Sequence, residues 1–273
     1  MKKPRVQQTP QVFILLKRII NQFGFEITRF RENQIGEGQI NLNIGSSGNV
    51  IPGFINLDKP SDWYGNAQSR TKFVPYDATL DKLPYLDSTV SNIYISHVIE
   101  HLSDRDAGRL INESIRAIEP GGVIRICVPD AYFLWRVSLF KNSYWTSQRN
   151  IILSKAKNLP LESFDFLIDE MGSLTRKNND LSEEEFEMLK GLSFNECMNH
   201  IQAKAKYDPL QPGNHVSWWT IEKIQTLIPE ISKSKVVTLN SKFQGSISPA
   251  MVGTYFDKTS TGLSLYVELV KLV

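Results

Sequence analysis

Short apolar segments alternate with amphipathic ones over residues 40–130, and this alternation constrains the fold more than any other feature of the chain. Strands are predicted at residues 40–44, 54–57, 72–76, 92–96 and 123–128. The last of these is mostly apolar, as a strand covered on both faces of a sheet requires. Because strands that alternate with helices favour a parallel sheet, the pattern predicts a Rossmann-like, doubly wound α/β fold.

A helix is predicted between the fourth and fifth strands. Ser103, followed three residues later by Asp106, has the pattern of a helix N-cap. Pro120-Gly121-Gly122 has the pattern of a helix end. The residues expected to share the buried face are Ala107, Leu110, Ile111, Ser114 and Ile118.

Residues 131–212 break the alternation and are predicted to form a helical insertion that caps the substrate side of the sheet. An aromatic-rich helix is expected over 132–145, and Ser182 with Glu185 caps another. The alternation returns afterwards, with a helical segment expected at 218–227 and strands at 235–239 and 263–270.

The N-terminal segment is basic and has one apolar face. Val12, Leu15, Leu16, Ile19, Ile20 and Phe23 fall at helical spacing. Lys17-Arg18 ends the apolar run too early for a signal peptide, and no run of about 18 apolar residues that could span a membrane occurs. The segment is interpreted as an amphipathic helix packed on the domain, with peripheral contact to the inner membrane face as the alternative.

Composition restricts the partners. The 273 residues include 31 Lys+Arg and 29 Asp+Glu, a formal net charge of +2, so no global attraction for nucleic acid is expected. Cys127 and Cys197 form neither a disulfide framework nor a zinc knuckle, and this pattern suits the cytoplasm. The expected partner is a small molecule or a glycan, and assembly into a homo-oligomer stays open.

Three features are predicted to meet at the carboxyl ends of the strands, where open α/β sheets bind ligands. Gly45-Ser46-Ser47-Gly48 follows the first strand and offers backbone N–H groups to a ligand. Asp58 ends the second strand, and its carboxylate can accept hydrogen bonds from a ribose diol. Asp77 ends the third strand and can accept from an exocyclic amine. The set predicts an adenosine-containing cofactor; the alternative is that both aspartates only shape turns.

The ordered motifs resemble those of class I S-adenosylmethionine-dependent methyltransferases of the type 11-like group. They lie at residues 43–49, 52–58, 77–78, 83–88, 96–102, 119–122 and 128–130. Weaker similarity extends to residues 215–219 and to 264–268, which resemble the last, antiparallel strand of that family. The resemblance implies a mostly parallel sheet with an antiparallel last strand. It also implies S-adenosyl-L-methionine as cofactor and S-adenosyl-L-homocysteine as product.

The resemblance also implies a role for each matching position. The implied cofactor-binding residues are Asn43, Gly45, Ser46, Ser47, Asp58, Asp77, Ala78, Ser96 and His97. The loop from Gly45 to Ser47 would hold the methionine part, Asp58 the ribose, and Asp77 with Ala78 the adenine. Ser96 and His97 would line the region of the sulfonium.

The sequence departs from the family pattern at three points. Asn43 stands where an acidic residue is usual, and Ser47 stands where the second glycine is usual. The segment from Gly45 to Asp58 is also too short for the long helix that this crossover normally carries.

On this resemblance the domain organisation is an N-terminal helix, a methyltransferase domain in two halves, and an insertion between the halves. The expected boundaries are 1–36 for the helix, 37–130 for the cofactor-binding half, 131–212 for the insertion and 213–273 for the C-terminal half.

Methyl transfer to a hydroxyl group needs a base, because the proton must leave as the new bond forms. Histidine suits this role, since its pKa lies near neutrality. His215 follows the turn Pro212-Gly213-Asn214 and is the first choice, with His97 and Asp130 as the other catalytic candidates. His101 and Trp218 are candidate substrate contacts. A structural role is the alternative for each.

His97-Val98-Ile99-Glu100-His101 also fits the zinc-binding pattern H-x-x-E-H. That pattern needs both histidines on one helix face and a third ligand. His97 follows directly on a predicted strand, so no metal site is predicted.

The predicted function is S-adenosylmethionine-dependent O-methylation of a sugar, a glycan or a small metabolite, with glycan biosynthesis suggested only by fold-level analogy. One alternative is a non-catalytic binding module with the same fold, which the departures at Asn43 and Ser47 keep open. The other is a nicotinamide-dependent dehydrogenase, which the missing G-x-G-x-x-G pattern disfavours.

Overall fold

The computed structural model describes residues 34–69, 71–139, 162–233, 235–259 and 262–272. The predicted N-terminal helix lies outside the described residues up to position 33, as does the aromatic-rich segment after residue 139. None of the helices in the described ranges has the length and apolar character needed to cross a bilayer.

Seven strands form one central sheet. They are β1 (Asn41–Ile44), β2 (Ile55–Asp58), β3 (Val74–Pro75), β4 (Val90–Ser96), β5 (Ile118–Pro129), β6 (Val236–Asn240) and β7 (Ser264–Lys271). The order across the sheet is β3-β2-β1-β4-β5-β7-β6. Strands β1 to β5 are parallel, and β7 is antiparallel to both β5 and β6. The mostly parallel, doubly wound sheet with an antiparallel last strand is therefore confirmed.

Helices and short 3-10 turns cover the sheet. The helices are α1 (Gly65–Gln68), α2 (Asp104–Ala117), α3 (Ala131–Leu139), α4 (Ser163–Gly172), α5 (Glu183–Lys190), α6 (Phe194–Lys204), α7 (Ile221–Thr226) and α8 (Glu230–Lys233). The 3-10 turns are Ile99–His101, Arg176–Asn178 and Pro249–Met251.

Helix α2 begins where the sequence predicts and ends earlier. The Ser103 hydroxyl accepts a hydrogen bond from the Asp106 N–H at 3.1 Å, which caps the first turn. Ile118 was expected on the helix face, but its backbone is extended and it pairs with Val90 of β4. Pro120-Gly121-Gly122 consequently lies within β5 rather than at the end of the helix.

The helical segment expected at 218–227 is also shorter. Thr220 caps α7, since its hydroxyl accepts from the Lys223 N–H at 3.2 Å. Trp219 precedes the helix and instead forms a parallel bridge with Asp130, just beyond β5. Pairing with the sheet has overridden the helical periodicity at this position.

The apolar residues form separate clusters that match the layers. The buried face of α2 packs on the sheet through residues such as Leu110 and Ile111, against Ile93 and Ile124. Helices α3 to α6 share a different core, in which the rings of Phe164 and Phe186 meet edge to face at 5.5 Å.

Candidate active site

A cavity of about 650 Å³ opens at the carboxyl ends of β1, β2 and β4, where the strand order reverses. We refer to it as the strand-end cavity. Every predicted cofactor-binding residue lines it: Asn43, Gly45, Ser46, Ser47, Asp58, Asp77, Ala78, Ser96 and His97. His101 lines it as well.

The loop after β1 requires glycine at its first position. Gly45 has a φ of +67°, and a Cβ atom there would lie 2.3 Å from Cγ2 of Val98. Its N–H donates to the carbonyl of Leu57 at 2.8 Å, which fixes the loop against β2. The connection over 45–54 contains no helix, as its short length predicts.

The side chain of Asn43, in β1, holds this loop through hydrogen bonds. Its buried side-chain amide donates to the Asn49 carbonyl at 2.9 Å and to Oδ1 of Asn56 at 3.0 Å. The carbonyl can only accept, so the orientation of the amide follows from the network. An acidic side chain could donate neither bond, which explains physically why asparagine occupies this position.

Asp58 joins the end of β2 to the same loop. Its Oδ2 accepts from the Ser47 N–H at 2.5 Å. Burial raises the pKa of Asp58, although the hydrogen bond from the Ser47 backbone opposes that effect. The carboxylate thus lies in the cavity wall beside backbone N–H groups, where a ribose would be recognised.

Asp77, at the next strand end, is already engaged. Lys59 Nζ lies 2.8 Å from its Oδ2, and the Thr79 hydroxyl donates to its Oδ1 at 2.6 Å. Burial opposes the charge, but the hydrogen bonds from Lys59 and Thr79 prevail and lower the pKa of Asp77. A ligand amine at Asp77 would have to share the acceptors with these residues.

The neighbouring Tyr76 provides a test of whether the wall fits a nucleoside. Tyr76 is 4% exposed and lines the strand-end cavity, yet its hydroxyl has no hydrogen-bond partner among the described residues. A buried hydroxyl without a partner is unfavourable, and a ring nitrogen of a bound base would satisfy it. The unpaired Tyr76 hydroxyl in the cavity wall therefore fits the predicted cofactor.

One wall of the cavity, formed by His97 and His101, is backed by Glu100 and His215, and we call these four residues the histidine cluster. Glu100 is 1% exposed. His97 Nδ1 lies 2.9 Å from its Oε1, close enough for an ion pair but not aligned for a hydrogen bond. The other ring nitrogen of His97 lies 3.0 Å from the Ser264 hydroxyl.

Backbone hydrogen bonds bring the segment at 215–217 to this cluster. The Val216 N–H donates to the Glu100 carbonyl at 2.8 Å, and the Ser173 hydroxyl accepts from the His215 N–H at 2.8 Å. The rings of His101 and His215 pack with centroids 4.9 Å apart. His215 therefore lies behind His101 and is not among the residues that line the strand-end cavity.

Charges in the cluster are strongly coupled. Burial would raise the pKa of Glu100, but the contact with His97 and the nearby His101 and His215 rings lower it to about 2. Burial would lower the pKa of His97, and Glu100 more than offsets this, so the pKa of His97 is raised. For His101 burial prevails over Glu100, and its pKa is lowered. The carboxylate is thus ionised, with His97 as its counterion.

Two predicted site residues lie elsewhere. Asp130 and Trp218 line a second cavity, of about 630 Å³, together with Phe194 and Lys223. Asp130 Oδ1 accepts from the Phe133 N–H at 3.0 Å in the first turn of α3. Trp218 packs edge to face on Phe194, with ring centroids 5.3 Å apart. The structure thus brings neither residue to the strand-end cavity.

The residues at the mouth of the strand-end cavity are not among the predicted site residues. Trp63 and Tyr207 line it with 55% and 49% of their surfaces exposed. A Cβ on Gly213 would lie 3.1 Å from Nε1 of Trp63, so the loop before His215 closely approaches the loop after β2. Only the proline-rich run before Gly213 marks this segment in the sequence, and it predicts a turn rather than a site.

No protein-family model and no curated protein sequence matches the chain. Solved structures resemble it only distantly. An S-adenosylmethionine-dependent methyltransferase from Methanosarcina mazei is 11% identical, with a TM-score of 0.42 over 88% of this chain and 95% of that one. A Rhodobacter sphaeroides protein assigned to the zinc-dependent alcohol dehydrogenases is 10% identical, with a TM-score of 0.43 over 86% of this chain and 85% of that one.

A chain in the complex of a methyltransferase activator and a methyltransferase from Haloferax volcanii is 20% identical, with a TM-score of 0.29. That similarity covers 35% of this chain and 47% of the other, so the match spans about half of the Haloferax chain.

The strand order identifies the fold more directly. The order β3-β2-β1-β4-β5-β7-β6, with β7 antiparallel between β5 and β6, is typical of Rossmann-like methyltransferases. The chain therefore has the class I S-adenosylmethionine-dependent methyltransferase fold.

Proposed function

We propose that the protein is an S-adenosylmethionine-dependent methyltransferase whose cofactor binds in the strand-end cavity. The main support is one juxtaposition: the glycine loop, Asp58 and the Asp77-Ala78 pair line the same cavity at the reversal of the strand order. In this proposal the loop from Gly45 to Ser47 holds the methionine part and Asp58 accepts from the ribose hydroxyls. Asp77, Ala78 and the Tyr76 hydroxyl recognise the adenine.

Bound S-adenosylmethionine supplies an activated methyl group, so the protein has to align the acceptor and remove its proton. We assign the proton to the histidine cluster. His101 is its member with a ring at the cavity and with one nitrogen not engaged among the described residues. His215 does not line the cavity, and its ring packs against the far side of His101. His215 can therefore influence the acceptor only through His101.

For the acceptor we propose a hydroxyl of a sugar, a glycan or a small metabolite. The support is the mouth of the strand-end cavity, where the exposed rings of Trp63 and Tyr207 offer apolar faces with polar edges. Such rings can stack on the apolar face of a sugar or on a planar ring. Reaction with labelled cofactor and a fractionated glycan or metabolite extract tests this choice, because the label should enter a hydroxylated fraction.

Calorimetry with S-adenosylhomocysteine and, in parallel, with NAD tests the cofactor assignment. We expect saturable, equimolar binding of S-adenosylhomocysteine and none of NAD. Binding of NAD alone would support a dehydrogenase and would contradict the proposal. Cofactor binding without transfer to any fraction would instead favour a non-catalytic binding module.

A further inference from the structure

The side chains of Glu100, His101 and His215 in the histidine cluster lie close together. One carboxylate oxygen of Glu100 and one ring nitrogen each of His101 and His215 all lie within 4.8 Å of one another. Tetrahedral ligands at about 2.1 Å from a metal ion are about 3.4 Å apart, so small side-chain rotations would bring these atoms to metal-binding distances.

The two rings are oriented as metal ligands usually are. His101 Nδ1 lies 3.1 Å from the Asn214 carbonyl oxygen, and His215 Nδ1 contacts the Glu170 carbonyl oxygen. A carbonyl oxygen only accepts, so in both neutral rings the proton is on Nδ1 and Nε2 carries a lone pair. A histidine that binds a metal ion typically donates its other N–H to a backbone carbonyl in this way.

Among the groups that the structure describes, the carboxylate of Glu100 is paired with His97 at one oxygen only. Glu100 is 1% exposed, and within the described ranges neither of its oxygens has an aligned hydrogen-bond donor. His97 offers only an ion-pair contact to Oε1. A buried carboxylate oxygen without a hydrogen-bond donor is unfavourable, and a bound cation would satisfy it. Oε2 is such an acceptor among the described residues, and one carboxylate oxygen of Glu100 lies within 4.8 Å of a ring nitrogen of His101 and of His215.

We propose that Glu100, His101 and His215 bind a divalent transition-metal ion. Two imidazole nitrogens and one carboxylate oxygen form a donor set found for Zn²⁺ and for non-haem Fe²⁺, whereas Mg²⁺ prefers oxygen ligands alone. Asp169 and Glu170, on α4, interact electrostatically with His215 and add acidic groups around the site.

The ligand set differs from the H-x-x-E-H pattern in the sequence. Both ring nitrogens of His97 are engaged, by Glu100 and by Ser264, so His97 is a partner of the ligand Glu100 rather than a ligand itself. The third ligand is His215, which lies 114 positions after His101 and comes from beyond the insertion. No helix is needed to align the two histidines.

The inference rests on the cluster alone, but it bears on the proposed methyl transfer, because a bound ion would occupy the ring nitrogen of His101 to which we assigned the acceptor proton. His101 also lines the strand-end cavity, so the ion would lie next to the space proposed for the acceptor. An ion at this position would supply Lewis acidity, which makes a nearby hydroxyl more acidic.

The test uses the full chain without a polyhistidine tag, stripped of metal by a chelator and then dialysed. Calorimetry with Zn²⁺ alone should show one saturable, equimolar site, and Mg²⁺ should not compete for it. Co²⁺ should give visible absorption bands typical of four- or five-coordinate nitrogen and oxygen ligation, and these bands should disappear when Zn²⁺ is added.

Glu100→Gln and His215→Gln should each weaken Zn²⁺ binding by at least about tenfold, the loss expected even for a residue that only supports a ligand. His200→Gln is the matched control, since His200 contacts Glu185 on α5 and lies outside the cluster. Its Zn²⁺ affinity should match that of the unmodified protein.

The proposal is overturned if the unmodified protein shows no equimolar Zn²⁺ site, or if binding survives both cluster substitutions. Loss of binding in His200→Gln would also overturn it. Circular dichroism establishes which variants fold. Should neither cluster variant fold, the Co²⁺ spectrum of the unmodified protein decides, and a spectrum of six-coordinate, weakly held Co²⁺ counts against the site. Because no cofactor enters these assays, failure of the metal site and failure of the proposed methyl transfer are distinguishable.

Discussion

At the end of β1, Asn43 donates two hydrogen bonds where the family that the sequence resembles has an acidic residue. Its acceptors, the Asn49 carbonyl and Oδ1 of Asn56, hold the glycine loop and the adjacent strand in place. The resemblance implies that Asn43 helps to hold the cofactor, whereas in the structure its amide donates to two acceptors of the protein. The two residue types are therefore not interchangeable here, although they have the same shape.

Asn43→Asp should destabilise the protein strongly. The substitution leaves two buried acceptors without donors, at about 1–3 kcal/mol each, and adds a buried charge. Urea denaturation measures the loss in the free energy of unfolding. Asn66→Asp, at an exposed position in α1, is the control and should change little. A stable Asn43→Asp variant with tighter cofactor binding would show that the loop does not depend on this amide.

Asp58→Ala should weaken S-adenosylhomocysteine binding by about 1–3 kcal/mol, because the carboxylate is a charged acceptor for the ribose hydroxyls. That loss corresponds to about 5- to 150-fold in Kd by calorimetry. The fold should persist, since Asp58 is at a strand end beside a cavity. Asp87→Ala, on an exposed side chain outside the cavity, should bind normally. Unchanged affinity in a folded Asp58→Ala variant would contradict the proposed ribose site.

The same carboxylate predicts a pH dependence. Burial raises the pKa of Asp58, so the group becomes protonated at a higher pH than an exposed aspartate does. As the pH is lowered from neutrality, cofactor affinity should therefore begin to fall at a higher pH than the ordinary aspartate pKa of about 3.9 would give. Asp58→Asn should lack this component when both proteins are titrated by calorimetry. Parallel pH profiles for the two proteins would exclude Asp58 as the titrating group.

At the scale of elements, a fully buried arginine joins β5 to β7. Arg125 pairs in register with Glu268, and its Nη1 lies 2.9 Å from the Glu268 carboxylate. Its Nη2 lies 2.6 Å from Asp257, in the loop before β7. Its Nε–H donates to the other carboxylate oxygen of Asp257 at 3.2 Å, and the carbonyl oxygens of Gly245 and Lys242 accept from Nη1 and Nη2. One cation thus anchors the antiparallel edge of the sheet and the loop that crosses it.

Arg125→Met should destabilise the protein by about 3–5 kcal/mol, because it leaves two buried carboxylates without a counterion. Arg116→Met is the comparison, since Arg116 is 28% exposed although it pairs with Asp87 and Glu113 and donates to the carbonyls of Leu83 and Tyr85, and its loss should cost less. Combining Arg125→Met with Asp257→Leu and Glu268→Leu should restore much of the stability. Thermal unfolding measures all three, and equal losses for both arginine variants would contradict a special role for the buried one.

The sequence predicts an element correctly where residues close together in the chain determine it. Ser103 and Ser182 mark helix starts correctly, because each cap is a contact over three residues. Ile118 and Trp219 were placed on helices by periodicity, yet both pair with the sheet. Pairing to Val90 and Asp130 respectively depends on strands distant in sequence, and no local pattern contains that information.

At the scale of the whole molecule, the cofactor positions were predictable and the histidine cluster was not. Gly45, Asp58 and Asp77 lie at or just after the ends of parallel strands, so the sheet alone brings them to one edge. The contact of His101 with His215 depends instead on how the chain returns after the insertion. Hydrogen bonds from the His215 N–H to the Ser173 hydroxyl and from the Val216 N–H to the Glu100 carbonyl fix that return, and no spacing in the sequence encodes them.

The histidine cluster connects the helices of residues 162–204 to the sheet that carries the cofactor site. Substitutions of His215 and of His97 should therefore affect cofactor affinity and turnover differently. His215 contacts α4 and lies behind His101, away from the cavity, so His215→Ala should leave S-adenosylhomocysteine affinity almost unchanged. Turnover should still fall, by up to about 10²–10⁴-fold, the contribution of a positioned base, because the His215 ring packs against His101 and positions it. His97 lines the cavity, so His97→Ala should weaken cofactor binding as well.

Calorimetry measures cofactor affinity and a labelled acceptor measures turnover, so the two effects are separated, with His200→Ala as the control. Full turnover in His215→Ala would remove this histidine from the mechanism and leave His97 and His101 as the groups to test.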